Sequence, residues 1–171
     1  VGKAPRLQPS LAGGFTINGG TGTDRATIDG TIATTGTGAV DITVTSNIVV
    51  NSAASITTVN GGITLSGNAG QTVAGTITGV DINGGTVSTS GTGLISITGK
   101  GGPNGTSLGV NVRNNAQVLS SATSAGGGIT INGTGSGDNA GGHGVQVTGT
   151  STLVDSKSGA IQITGQGGTA A

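Results

Sequence analysis

The side chains able to do chemistry are few, and their spacing limits what they could do. The chain of 171 residues has six Lys and Arg, six Asp and Glu, one His and no Cys. The densest polar set falls in three short segments: Val80-Asp81-Ile82-Asn83, Val110-Asn111-Val112-Arg113 and Val145-Gln146-Val147-Thr148. Alternation places Asp81, Asn83, Asn111, Arg113, Gln146 and Thr148 opposite the apolar face, in two adjacent outward columns. They are a candidate ligand or contact surface. A ladder of amides and charges between stacked strands would account for the same pattern without a ligand. Asp138, Asn139 and His143 fall in the glycine-rich stretch from Gly133 onward and form a second candidate contact surface. His143 is the sole imidazole, and without Cys or clustered carboxylates it makes neither a metal site nor a triad. Asp24, Arg25 and Asp29 read as a solvated corner. Serines are numerous, yet one distant His leaves none of them a base. No catalytic, metal or cofactor residue is assigned, and no enzymatic activity is expected.

These residues hang on a repeat. Gly62-Ile63-Thr64-Leu65-Ser66-Gly67 recurs as Gly93-Leu94-Ile95-Ser96-Ile97-Thr98-Gly99, as Gly128-Ile129-Thr130-Ile131-Asn132-Gly133 and as Gly159-Ala160-Ile161-Gln162-Ile163-Thr164-Gly165. Each copy alternates apolar and polar residues between glycines, as a short strand with one buried face does. Ile63, Ile95, Ile129 and Ile161 fall 32, 34 and 32 residues apart, a period that indicates a solenoid. After each anchor come a loop, a second strand beginning at Val80, Val110 or Val145, and a third centred on Val87, Val118-Leu119 or Leu153-Val154. Two earlier anchors, at Ile17 and Ile42, are only 25 and 21 residues from the next. The reading is all-β: a right-handed parallel β-helix of three strands per coil and about five to six coils, with essentially no helix. Residues 1–14 carry Lys3, Pro5, Arg6 and Pro9, lack the repeat, and are expected to form an arm or cap outside a solenoid spanning 15–171. The stretches Gly67 to Thr78, Gly99 to Leu108 and Gly133 to His143 are expected to loop out. The Asn-Gly pairs at Asn18, Asn60, Asn83, Asn104 and Asn132 are expected at corners.

Composition closes other classes. Glycine supplies 38 residues and formal net charge is zero. Registered Ile and Val columns argue against a disordered low-complexity chain. There is no basic patch for nucleic acid and no apolar run of membrane-spanning length.

The Gly-x-Ile-x-Ile-Thr-Gly anchors, with their Gly/Thr/Ser/Asn corners, resemble the β-helical repeats of bacterial exported proteins, filamentous-haemagglutinin-like adhesins and autotransporter passengers. That resemblance covers Gly13 to Gly168 and implies an extracellular or cell-surface protein, structural or adhesive. A segment of a large adhesin and a subunit of a self-assembling fibre both fit. It further implies a carbohydrate or host or cell-surface receptor as partner; separately, uncovered solenoid edges and a net charge of zero make end-to-end self-association an expectation. A looser resemblance is to polysaccharide lyases of β-helical fold, which would give Asp81 a calcium and make Arg113 a base. Calcium takes six to eight oxygen ligands, and one carboxylate with amides is a thin set. The loop bearing Asp138 and Asn139 resembles a calcium-binding β-roll nonapeptide, but it appears once where that motif works in tandem. Finally, Thr16/Asn18, Asp41/Thr43, Thr64/Ser66, Ser96/Thr98, Thr130/Asn132 and Gln162/Thr164 should line the outer face of the anchor strand. That array resembles the hydroxyl rows of ice-binding β-helices.

Overall fold

The computed structural model describes residues 11–70, 73–123, 126–136 and 142–168. Among them are sixteen strands and no helix. Strands β1 (Phe15–Asn18), β2 (Ala26–Ile28) and β3 (Thr31–Ala33) make the first turn. The second turn is β4 (Val40–Val44), β5 (Ile48–Val50) and β6 (Ser55–Thr58), and the third is β7 (Ile63–Gly67), β8 (Val80–Asn83) and β9 (Thr86–Thr89). The fourth holds β10 (Ile95–Lys100), β11 (Val110–Arg113) and β12 (Gln117–Ser120). Then come β13 (Ile129–Thr134), β14 (Val145–Thr148) and β15 (Leu153–Ser156), and finally β16 (Ile161–Gln166). Equivalent strands stack into three parallel sheets, ordered β1-β4-β7-β10-β13-β16, β2-β5-β8-β11-β14 and β3-β6-β9-β12-β15. The chain is a three-sided parallel β-solenoid.

The register follows the periodicity of the apolar residues. Ile63, Ile95, Ile129 and Ile161 form one ladder position, and Leu65, Ile97, Ile131 and Ile163 another. On the second sheet Ile48, Val80, Val110 and Val145 align, with Val50, Ile82, Val112 and Val147 two residues on. Ile32, Ile56, Val87, Val118 and Val154 complete the triangle from the third sheet. Side chains of the inner turns are fully buried. A single coil could not bury its own apolar face, so stability is shared along the axis.

Corners use two devices. Between the second and third sheets the second to fifth turns use a left-handed residue, supplied by Ala53 (φ 65), Gly84 (φ 78), Asn114 and Asn115 (φ 56 and 66) and Gly149 (φ 115), whereas the first turn rounds Asp29-Gly30 without one. Between the third sheet and the next anchor, buried hydroxyls add bonds to corner carbonyls. Thr34 Oγ1 donates to the Gly38 carbonyl, Thr58 Oγ1 to that of Gly61 and Thr89 Oγ1 to that of Val59. Not every Asn-Gly pair is a corner. Asn132-Gly133 lies inside β13, where glycine answers a close approach and not a turn.

That approach sets how the longer coils are built. A Cβ on Gly67 would overlap the carbonyl oxygen of Gly79; one on Gly99 would meet that of Gly109, and one on Gly133 that of Gly144. Each pair pinches the base of a loop, so a long insertion leaves the rungs on either side undisturbed. The loops also stack. The Gly102 amide donates to the Ile77 carbonyl (3.0 Å), the Ile77 amide to Ser107 Oγ (3.0 Å) and the Ser136 amide to the Ser107 carbonyl (3.0 Å). Of the arm expected over residues 1–14, residues 1–10 lie outside the described residues. Leu11 pairs in parallel with Thr34 and so extends the third sheet past β3.

Candidate functional site

The outward face of the second sheet collects the polar residues singled out in the sequence. Thr27, Val49, Asp81, Asn111 and Gln146 share one column; Asn83, Arg113 and Thr148 share the next. Asp81 and Asn111 are not solvated, however: they are 9% and 7% exposed. Alternation gives the direction of a side chain but not what lies over it. Thr76, Ile77 and Thr78, at the end of the first long loop, line a common groove with Asp81 and Asn83.

Ladder register sets Arg113 beside Asn83, one diagonal step from Asp81. A diagonal neighbour is within reach of a long side chain. Arg113 Nε donates to Asp81 Oδ1 at 3.0 Å, and Nη2 to Oδ2 at 2.8 Å. This forked geometry uses both carboxylate oxygens. The hydrogen bonds to Asp81 push the guanidinium above the usual arginine pKa; partial burial opposes that, and the carboxylate charge adds to it. With the folded value raised, the pair contributes fully below the ordinary arginine value and loses its contribution only as pH climbs through the raised one. Arg113 is therefore a fixed cation and unsuited to take up a proton at neutral pH.

Other predicted residues separate. Gln146 stands next to Asn111 on the ladder, half-buried, whereas His143 is exposed at the end of its loop and offers its carbonyl to the Gly109 amide (3.0 Å). Asp138 and Asn139 lie outside the described residues. Among the described residues no three His, Cys, Asp or Glu side chains gather closely enough to hold a metal ion. Nor is any helix there long and apolar enough to cross a membrane.

The structure adds residues that the sequence reading left aside. A groove of about 430 Å³ runs along the second sheet, lined by Arg25, Asn47, Val49, Asn51, Thr76, Ile77, Thr78, Asp81, Asn83 and Arg113. Its origin is the change in coil length. Only three residues separate β4 from β5, whereas twelve separate β7 from β8. The first two turns leave the sheet bare, and the third raises a wall over it. Asn68 begins that wall. It is fully buried at φ 49, donates its amide nitrogen to the Lys100 carbonyl (3.2 Å) and accepts from the Val73 amide (3.4 Å). The abrupt lengthening of the anchor spacing after Ile63 was the signal for this step.

Fold and site define the chain as a three-sided parallel β-solenoid with a polar groove at a step between short and long coils. No family model, no curated protein and no solved structure matches it.

Proposed function

We propose that the chain is an extracellular structural or adhesive β-solenoid, a rod that lengthens by end-to-end stacking of turns. One observation carries this reading: equivalent strands stack in register into three parallel ladders around a continuous apolar core, so the pairing that joins turn to turn is the same along the axis. The same pairing between copies would be heterologous and would give open fibres. A net charge of zero puts up little long-range repulsion between copies. The extracellular placement rests on the likeness of the anchors to exported adhesin repeats.

Electron microscopy and sedimentation across a concentration series test it. Fibres with an axial repeat near about 4.8 Å are expected, and Ile163→Asp should abolish them. A rod that stays monomeric at every concentration would remove the fibre reading and leave the adhesin segment.

A second reading has its own observation. Thr64, Ser66, Ser96, Thr98 and Thr130 stand in register on the outer face of the first sheet, half-exposed, and their hydroxyls bond to no described residue. Such an array is free to order water, as an ice-binding face would. Asp41 and Gln162 interrupt the rows. Thermal hysteresis in a freezing assay, lost in Thr98→Leu, would favour this reading; its absence would end it.

A further inference from the structure

The Asn-Gly pairs at Asn18, Asn60, Asn83, Asn104 and Asn132 have a chemistry that the stacking of turns does not use. A backbone amide that follows asparagine can attack the side-chain amide carbon, and glycine, which has no Cβ, hinders that approach least. The reaction needs a free glycine N–H, an asparagine side chain free to swing, and a backbone able to leave the extended conformation. In the sequence the pairs are equal. In the fold they are not.

All but one of the pairs are locked. The Gly19 amide donates to the Thr43 carbonyl (2.9 Å) and the Gly84 amide to the Arg113 carbonyl (2.9 Å), so neither nitrogen is free. The side-chain oxygens of Asn18 and Asn83 also accept, from the Gly20 amide (3.0 Å) and from Asn114 (2.7 Å). Asn60 Oδ1 accepts from the Thr92 amide one turn on (3.3 Å), and Gly61 is buried. Asn132 and Gly133 lie inside β13, paired to β10 on one side and β16 on the other, and the ladder keeps ψ extended. Asn104-Gly105 differs on each count. Both residues are exposed in the loop between β10 and β11, and Gly105 turns with φ 65. The Asn104 carboxamide and the Gly105 amide bond to no described residue. Ser107 is fully buried, and its Oγ donates to the Asn104 carbonyl (2.8 Å). That carbonyl shares the charge when the Gly105 nitrogen loses its proton, so the bond favours the reactive anion.

We propose that Asn104-Gly105 is a self-modification site, where the chain converts asparagine to isoaspartate and thereby loosens the contact between its second and third long loops. Hydroxide removes the Gly105 amide proton, and the nitrogen attacks Asn104 Cγ. A C–N bond forms, the bond from Cγ to the side-chain nitrogen breaks, and ammonia leaves with a proton taken from water. Water then opens the cyclic imide. Opening at Cγ gives aspartate; opening at the backbone carbonyl gives isoaspartate, with the main chain now running through Cγ. The Gly105 carbonyl accepts from the Ser107 amide (3.1 Å) and from Ser136 Oγ (2.8 Å), which ties the loop after β10 to the loop after β13. An extra methylene in the main chain before Gly105 displaces that carbonyl, and a carboxylate replaces the Asn104 carbonyl that Ser107 Oγ holds. The rungs stay in place, because Gly99 against Gly109 closes the base of the loop. The site does not depend on the rod reading: chains that never join would still carry it.

Mass spectrometry of the full chain, aged at mildly alkaline pH and then cut with trypsin, tests it. Cleavage after Lys100 and Arg113 isolates residues 101–113, and electron-transfer fragmentation separates isoaspartate from aspartate. In the folded chain Asn104 should lose its amide first, mostly to isoaspartate, at a rate that rises with hydroxide concentration. In urea all the Asn-Gly pairs should react alike. Asn104→Gln, which would have to close a larger ring, should stay unmodified at that position. Amide hydrogen exchange should show Ser107 and Ser136 losing protection in the aged chain but not in aged Asn104→Gln, while Ile97 and Ile131 keep theirs. Reaction at Asn83 or Asn132 as fast as at Asn104 in the folded chain would overturn the site. So would an Asn104 that folding slows as much as it slows the other pairs. Isoaspartate at position 104 with Ser107 and Ser136 still protected would overturn the loosening of the loops.

Discussion

Ile97 and Ile163 occupy the same ladder position two turns apart, so truncating each isolates the effect of stacking. Ile97 is fully buried between Leu65 and Ile131. Ile163 rests on Ile131 alone and is 47% exposed. Replacing isoleucine by alanine removes three carbons, worth about 2.4 kcal/mol at roughly 0.8 kcal/mol per buried carbon. At Ile97 the hole is closed on both sides; roughly 80 Å³ left unrelaxed would add about 2 kcal/mol at about 24 cal/mol per Å³. Ile97→Ala should thus cost between about 2.5 and 4.5 kcal/mol, depending on how far Leu65 and Ile131 settle inward. At Ile163 about half the transfer term is absent already and no closed cavity forms, so about 1 kcal/mol is expected. Urea unfolding followed by circular dichroism measures both at low protein concentration, where end-to-end contacts are disfavoured. Hydrogen exchange should show the Ile97 variant loosened in the third to fifth turns and the Ile163 variant only at its end, because interactions pass between neighbouring turns. Equal costs for the two variants, or a larger cost at Ile163, would refute the ladder register. A cost at Ile163 that grows with protein concentration would instead report burial of that face against another copy.

Arg113→Ala leaves the Asp81 carboxyl group, 13% exposed, without either charge-assisted bond; a loss of about 2–4 kcal/mol in urea unfolding is expected, with part recovered in the Asp81→Asn, Arg113→Ala double variant. Gly99→Ala drives a Cβ into the Gly109 carbonyl and should cost about 3 kcal/mol, whereas Gly30→Ala, in open space without a left-handed backbone, should be near neutral in thermal unfolding. Ala53→Gly removes the left-handed strain of a residue at φ 65 and should raise stability by about 0.5–1 kcal/mol; a drop of that size would mean the corner does not need the left-handed conformation.

The rungs were legible because their cause is local and repeated. Ile95-Ser96-Ile97 tells which residues face inward, and the equal spacing of Ile63, Ile95, Ile129 and Ile161 tells which residue lies over which; the ladder has the same partners. The burial of Asp81 and Asn111 was not legible, because the loop residues that cover the sheet carry no periodic signal. The Asp81–Arg113 pair was half legible. Alternation and the repeat put them on one face in adjacent columns, with Asn111 level with Asp81, as the ladder has it; that Arg113 reaches diagonally to engage both Asp81 oxygens was not legible. Arg25 was read as a solvated corner residue and is exposed; that it shares a groove with Thr76 and Ile77 was not legible, because nothing in Asp24-Arg25-Ala26 points to residues some fifty positions on.

The change in coil length marks one place along an otherwise repeated structure. A solenoid of uniform short coils would have a bare second sheet, and one of uniform long coils a fully covered sheet. Each would present the same surface at every turn and could distinguish no position along the axis. Here the third turn is the first to rise over the sheet, and the pinch of Gly67 against Gly79 lets it do so without shifting β7 from β10 or β8 from β11. Asn68 fixes where the rise begins by bonding across to Lys100. The rungs can therefore serve as a uniform stacking element while one place along the axis gains a wall and a floor. Because the repeated hydrogen bonds belong to the rungs and the lining residues project from them, the groove can change its lining by substitution at Arg25, Asn47 or Asn83 without altering the ladder that holds the turns together.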